Sequence, residues 1–339
     1  MPLDLTDRLV PPQPSSPTRR RFLWGLGAAT AACLLPDPLR LLASEGTARS
    51  EGAILTKAIP STGERIPVLG MGTWLTFNVL PLGGLLDTRV EVMRRFFAAG
   101  GGMIDSSPMY GQSEKIVGEG LERLPNHGGP GSDAGLFSAT KVWTPFQRLG
   151  RGQIEDSREL WGVDRFDLLQ VHNLVEWEGH LETLRQLKAE GKVRYVGVTT
   201  SHGRRHAELE AVIRAVSKNQ GQDLDFVQFT YNILDREPEA RLLPLAADRG
   251  IAVIANRPFR RSSLIERFQG KPLPPWAADV GCDTWPQFLL KFIISHPTVT
   301  CAIPATSQPD HMSENMTAAR GELPDAKMRR EMVRWVERL

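Results

Sequence analysis

The stretch that decides the fold runs Gly100-Gly-Gly-Met-Ile-Asp-Ser-Ser-Pro-Met-Tyr110, with Gly111 behind it. Met103 and Ile104 read as the end of a short buried strand, and Asp105 falls where that strand stops. Tyr110 follows in a Ser/Pro/Gly loop, ahead of a helical pattern over 113–124. A carboxylate and a phenol are poor core material. They suit a site if the strand belongs to a parallel barrel, whose strand ends meet at one mouth. Taken alone, the same residues also describe an ordinary strand-to-helix loop with Asp105 as a cap.

The flanking sequence decides between the two. Upstream, 54–68 reads as a hairpin turning at Ser61-Thr-Gly63. Strands are predicted over 68–72, 103–105, 136–141, 166–172, 193–198, 225–229, 251–255 and 300–304. Helical patterns fall between them, near 88–99, 113–124, 152–162, 177–190, 204–217, 237–249 and 284–295, and two more close the chain near 309–319 and 325–338. Eight strands alternating with helices predict an α/β chain: a (β/α)8 TIM barrel preceded by an N-terminal β-hairpin. Gly70-Met-Gly72-Thr-Trp74 lacks the third glycine of a dinucleotide-binding turn, so a doubly wound sheet is not indicated.

The first fifty residues read differently. Residues 1–18 are rich in Pro, Ser and Thr. Thr18-Arg-Arg-Arg-Phe-Leu23 then precedes an uncharged, Ala/Gly/Leu-rich run to Pro36, which is too short to span a bilayer. This order resembles a twin-arginine export signal, which a receptor reads. Small residues for cleavage occur at Gly46-Thr-Ala48, and Leu41-Leu-Ala43 is a second possible site. The expected division is a signal peptide and linker over 1–48 and a barrel over 49–339. The implied partner is the twin-arginine translocase, the implied location is the periplasm or another exported site, and no stable membrane span remains in the mature form. The 339 residues carry a net charge of +2 and three cysteines. That balance indicates no nucleic-acid partner, and the cysteine spacing indicates neither a disulfide framework nor a metal site.

Polar residues collect at the predicted strand ends: Asp105 and Tyr110, then Lys141, His172-Asn173, Thr199-Thr200-Ser201 and Gln228. Individually, Lys141 could be a solvated strand end and His172 a core histidine. Together at one mouth they have a chemical logic. A lysine ammonium favours the phenolate of a nearby tyrosine, a carboxylate keeps that lysine charged, and a neutral imidazole can hydrogen-bond a substrate oxygen. The set suits protonation of a carbonyl oxygen while a hydride arrives at carbon. No side chain supplies a hydride, so a nicotinamide cofactor must.

From about Leu55 to Ala319 the chain resembles the aldo-keto reductase family. The resemblance rests on Ile104-Asp-Ser-Ser-Pro-Met-Tyr-Gly111, Thr140-Lys-Val-Trp143, Leu168-Leu-Gln-Val-His172 and the stretch from Ile303 to Asn315. It implies Tyr110 as general acid, Lys141 and Asp105 as its tuners, and His172 as the residue orienting a small carbonyl substrate. It places Gly72, Thr73 and Trp74 at the nicotinamide and Gln228 at its carboxamide. The sequence departs from the family pattern in several places. Thr199-Thr200 replaces Ser-Asn. Asn256, just before Pro258, stands where many members stack an aromatic ring. Ala305 and His311 replace cations that many members use for the 2′-phosphate of NADP. Thr306 and Asn315 remain for the adenosine end. Arg260 and Arg261 are either pyrophosphate ligands or part of a solvated loop. The resemblance still implies NADP, the family default, and the missing cations make NAD possible.

The leading expectation is an NAD(P)H-dependent reductase of an aldehyde or ketone. The alternative is a non-catalytic cofactor-binding barrel acting as a redox-responsive partner. An aldolase-type barrel with Lys141 as a Schiff base would leave Tyr110 unexplained. Other features have plainer readings. His202 and His206 fit a solvated helix start better than a metal site. Cys282 and Cys301 are more readily thiols than a disulfide. Trp74, Phe77 and Trp143 are core or an apolar pocket wall. The proline-rich loop 264–283 either flanks the mouth or packs outside the barrel.

Overall fold

A computed structural model of the protein describes residues 52–124, 135–216 and 224–339. The twin-arginine stretch, the apolar run and the cleavage sites lie outside the described residues. The chain opens with an antiparallel hairpin, β1 (Thr56–Ala58) and β2 (Arg65–Pro67). Eight parallel strands follow: β3 (Met71–Gly72), β4 (Met103–Asp105), β5 (Phe137–Val142), β6 (Phe166–Val171), β7 (Val193–Thr199), β8 (Phe226–Thr230), β9 (Ala252–Asn256) and β10 (Val299–Ala302). They pair in chain order, and a parallel bridge between Leu69 and Ala302 joins the first to the last. Gly70 N–H donates to Ala302 O at 2.9 Å and Ala302 N–H to Val68 O at 2.9 Å, which closes the sheet on itself.

Side chains alternate across a strand, and here the alternation places the site. On β5, Phe137 and Ala139 belong to an inner cluster with Met103, Leu168, Tyr195, Phe226, Ala252 and Ile254. Two further steps bring the inward stripe to Lys141 on β5, and the same step gives Asp105, Gln170 and Gln228 on β4, β6 and β8. These four strands are thus apolar inside at their starts and polar inside at their ends. Ile59 and Ile66 of the hairpin belong to that inner cluster and floor it at the strand N-termini. The outward residues, such as Val142, Val171, Val227 and Val253, pack beneath the helices in a separate outer core.

The helices are α1 (Gly84–Ala98), α2 (Ser113–Glu122), α3 (Gln147–Trp161), α4 (Trp177–Ala189), α5 (His206–Val216), α6 (Leu242–Arg249), α7 (Ser263–Phe268), α8 (Trp285–Ile294), α9 (Pro309–Thr317) and α10 (Ala326–Glu337). Their ends follow local chemistry. Thr284 and Gln287 form a reciprocal capping box at α8, and Asp325 caps α10 through Met328 N–H at 2.7 Å. α3 starts five residues before the predicted 152 because Gly150 and Gly152 blur its pattern. A side chain at Gly150 would meet the His180 ring at 2.8 Å, so packing against α4 accounts for that glycine.

The loop 264–283 packs outside the barrel and includes most of α7, which its prolines hid. Phe268 stacks on Trp285 of α8 with ring centroids 4.4 Å apart, and Leu264, Ala277 and Val280 join the outer core. Cys301 is a buried thiol on β10 and forms no disulfide with Cys282.

Candidate active site

The strand ends bring the four sequence-predicted residues together. Lys141 is fully buried, and its Nζ donates to Asp105 Oδ2 at 2.6 Å and to Ser106 O at 2.7 Å. Gln170 Nε2 and Gln228 Nε2 donate to the other carboxylate oxygen, Oδ1, at 3.2 and 2.9 Å. Asp105 thus has no freedom to turn away from the lysine. The Lys141 ammonium sits 5.2 Å from the Tyr110 ring centroid, and the Tyr110 and His172 rings meet edge-on at 5.6 Å. Tyr110 reaches this position on a single 3₁₀ turn, Pro108–Tyr110, capped by Ser107. Gly111 ends the turn at φ 62°, and a Cβ there would lie 2.4 Å from Asn78 Oδ1, so only glycine fits.

The electrostatics differ from the sequence expectation in one respect. Tyr110 is only partly covered as a residue, but burial raises the pKa of its phenol, and the opposing pull of Lys141 does not reverse that. Burial acts to lower the Lys141 ammonium, while Asp105 and Tyr110 outweigh it and hold it above its ordinary value. A lysine so protonated is a poor Schiff-base nucleophile. Burial, then Lys141, pushes His172 well below 6.5, so its imidazole is neutral. Ser107 Oγ lies 2.9 Å from His172 Nδ1 and accepts from Met109 N–H at 3.2 Å.

These groups open into a cavity of about 430 Å³. Among the other sequence-predicted residues, Gly72, Thr73, Trp74, Thr199, Gln228, Asn256 and Pro258 line it. Thr200, Thr306 and Asn315 are buried outside the lining, and His311 is exposed on α9. Arg260 is not in the lining either, because Asp235 holds it through an ion pair, Nε to Oδ2 at 2.7 Å. Arg261 lines the cavity instead, its guanidinium 4.5 Å from the Trp74 ring centroid. Phe77 is core, and Trp143 is exposed outside the lining. Asn256 is tied into a polar relay: it accepts from Thr230 Oγ1 at 2.9 Å and donates to Thr200 O at 2.8 Å and Gln228 Oε1 at 3.3 Å.

Sequence reasoning gave no role to Ser107, Gln170, Asn173 or Arg257. Only the inward alternation on β6 would have flagged Gln170; Asn173 stood out only as a polar residue at a strand end, and nothing local flags Ser107 or Arg257. Asn173 and Arg257 both line the cavity at positive φ, 52° each. Buried Asn173 Oδ1, Thr200 Oγ1 and Arg257 Nε have no hydrogen-bond partner within the protein. Buried polar atoms are seldom left so; of the three residues, Asn173 and Arg257 belong to the cavity lining and Thr200 does not. Among the described residues no cluster of His, Cys, Asp or Glu could hold a metal ion.

A closed parallel barrel with a Tyr–Lys–Asp–His set at its C-terminal mouth defines a barrel oxidoreductase. The sequence profile of the aldo/keto reductase family matches residues 68–331. The chain belongs to that family, whose members are NAD(P)-dependent oxidoreductases. An NADH-specific methylglyoxal reductase of Escherichia coli is 26% identical, over 83% of this chain and 100% of that protein. An aldo-keto reductase of Bacillus subtilis is 31% identical over 58% of this chain and 60% of its own length. The crystal structure of an aldo-keto reductase from Klebsiella pneumoniae in complex with NADPH shares the fold, with a TM-score of 0.67 and 23% identity over 83% of this chain and 95% of that one.

Proposed function

We propose that the protein reduces an aldehyde or ketone to an alcohol with NADPH or NADH, and that Tyr110 delivers the proton. One observation carries this reading: a buried, doubly anchored Asp105–Lys141 pair faces a phenol beside a neutral histidine. When bound, the nicotinamide supplies the hydride. Asn173, just after β6, and Thr199, at the end of β7, line the cavity and offer oxygens to its carboxamide. Gln228 has both ends of its amide engaged and serves instead to hold Asp105. Arg257 and Arg261 supply positive charge for the phosphates.

The chain's own groups then divide the work. With Ser107 donating to Nδ1, His172 carries its proton on Nε2 and hydrogen-bonds the substrate oxygen. Tyr110 gives that oxygen its proton as negative charge develops there, and the Lys141 ammonium stabilises the phenolate left behind. Removing the donor tests the assignment. Tyr110→Phe should slow single-turnover oxidation of bound NADPH by an aldehyde about 10²–10⁴-fold with little change in cofactor affinity. A wild-type rate would remove Tyr110 from the role. For residues 1–48 we retain the reading of a twin-arginine signal peptide, supported by the order of basic and apolar residues.

A further inference from the structure

Among the described residues, nine large hydrophobic side chains stand exposed, and eight of them fall within 75–85, 109 and 143–149. Those segments follow β3, β4 and β5, three neighbouring strands, at the end of the barrel that carries the site. Helix surfaces elsewhere around the barrel contribute a single such residue, Leu160. Chance exposure would scatter over the surface, whereas a contiguous apolar patch marks something it binds.

The patch continues into the cavity. Leu75 is 58% exposed and Met109 40% exposed, yet both line the cavity beside Trp74 and Tyr110. Polarity divides the cavity in two. Arg257, Arg261 and His202 line it from the loops after β7 and β9. From the β3 and β4 side the only charged group is Asp105, paired with Lys141; Arg261 reaches across to the Trp74 ring, which leaves Leu75 and Met109 as the apolar part of that side. The phosphates of a cofactor belong with the cations, so the apolar side is left for the substrate. The cavity of about 430 Å³ opens on this apolar side, so the part of a long substrate that extends beyond it meets the rim. That part would leave past Tyr110 over Leu75 and Met109, onto Leu80, Leu82 and Phe146.

We infer that the substrate is a carbonyl compound with a long apolar arm, and that the β3–β5 rim is the surface on which the arm lies. This rests on the carbonyl-reductase reading and narrows its substrate class. Burial of each methylene is worth up to about fourfold in kcat/KM. The experiment compares propanal, hexanal and decanal with the purified protein and NADPH or NADH. Decanal should exceed propanal by at least about tenfold in kcat/KM, allowing for partial burial of the arm. The variant Leu80→Ser/Leu82→Ser/Phe146→Ser, all at exposed positions and so compatible with folding, should lower the decanal-to-propanal ratio several-fold.

A flat chain-length profile in the wild type overturns the inference while leaving the reductase reading intact. A rising profile that the triple variant does not change places the arm elsewhere and also overturns it. No turnover of any aldehyde overturns both readings. Sedimentation of both proteins covers the remaining occupant: if the wild type is a dimer and the variant a monomer with an unchanged ratio, the rim is an interface between copies.

Discussion

At the scale of single residues, the site balances burial against charge. Lys141 stays charged in the barrel interior because Asp105 cannot leave it. Lys141→Met would leave that buried carboxylate with the two glutamine amides but no counter-charge, and losing one partner of a buried pair costs about 3–5 kcal/mol. Urea unfolding measures this directly, and a loss below about 1 kcal/mol would mean that Asp105 finds another partner. Tyr110 is raised above 10, so as the acid of the reduction it keeps its proton throughout the ordinary alkaline range. The alkaline limb of kcat/KM should therefore lie above pH 10, and a limb near 8 would identify a different acid.

His172, well below 6.5 in the fold, should give activity no acid limb near 6.5. It does give stability one. The unfolded imidazole takes up a proton below about 6.5 and the folded one does not, so stability falls as pH drops from there. His296, pulled down to about 4 by burial and then by Arg329, adds to the same fall between 6.5 and 4. Denaturant midpoints across that window check the sign. Cofactor choice is also decided by single residues. If Ala305 and His311 leave the 2′-phosphate without cations, Ala305→Lys should tighten NADPH about tenfold, the size of one charge-assisted hydrogen bond, and leave NADH unchanged. Fluorescence titration of both cofactors tests this.

The residues at strand ends were legible in the sequence because strand period and motif coincide there. Asp105, Lys141 and His172 each close a run of alternating apolar residues. Gln170 closes one too, but a lone glutamine carries no chemical signal. Arg260 and Arg261 could not be told apart, because only the left-handed turns at 257, 260 and 261 decide that one meets Asp235 and the other Trp74.

At the scale of elements, prediction succeeded where pattern and tertiary role agree and failed where glycine or proline interrupts. The strands came out within a few residues. α7 was hidden by the prolines behind it and α3 was shortened by its glycines, in each case because packing on α8 or α4 overrides local preference. The hairpin shows the reverse, a short element tied down by tertiary contacts, among them one lysine. Lys57 Nζ donates to the carbonyls of Ile294, His296 and Val299 at 2.8, 2.7 and 2.6 Å, joining β1 to the connection between α8 and β10. Burial, assisted by Arg329, brings its pKa down to about 8, which still leaves the ammonium charged at neutral pH. Lys57→Met should cost about 2–4 kcal/mol, mostly from carbonyls that lose their charged donor, with His296 O keeping only the Val299 N–H at 3.1 Å. Native-state hydrogen exchange should localise the loss to β1, β2 and the start of β10. A uniform change across the barrel would contradict that localisation.

At the scale of the whole molecule, closure through Leu69 and Ala302 makes the last strand a condition for the first, so the site exists only once the full chain has folded. Folding of that kind suits twin-arginine export, which carries finished proteins. We therefore expect Arg19→Lys with Arg20→Lys to hold the full-length protein in the cytoplasm, because the receptor reads guanidinium groups. Fractionation would show it, and unchanged export would remove the signal assignment.

The hairpin floor sets a limit on where such a leader can end. Arg320 bonds to the Gly52 carbonyl, Leu55 N–H donates to Ala319 O at 2.8 Å, and Val68 N–H to Leu55 O at 3.0 Å. The barrel thus holds its own first residues from Gly52 onward. A peptidase that trimmed past that point would be cutting into the floor as well as removing the address. If a leader is removed, the fold is the ruler for the cut: cleavage near 41–43 or 46–48 would leave every one of these bonds in place, and cleavage a few residues later would begin to loosen the end of the barrel opposite the site.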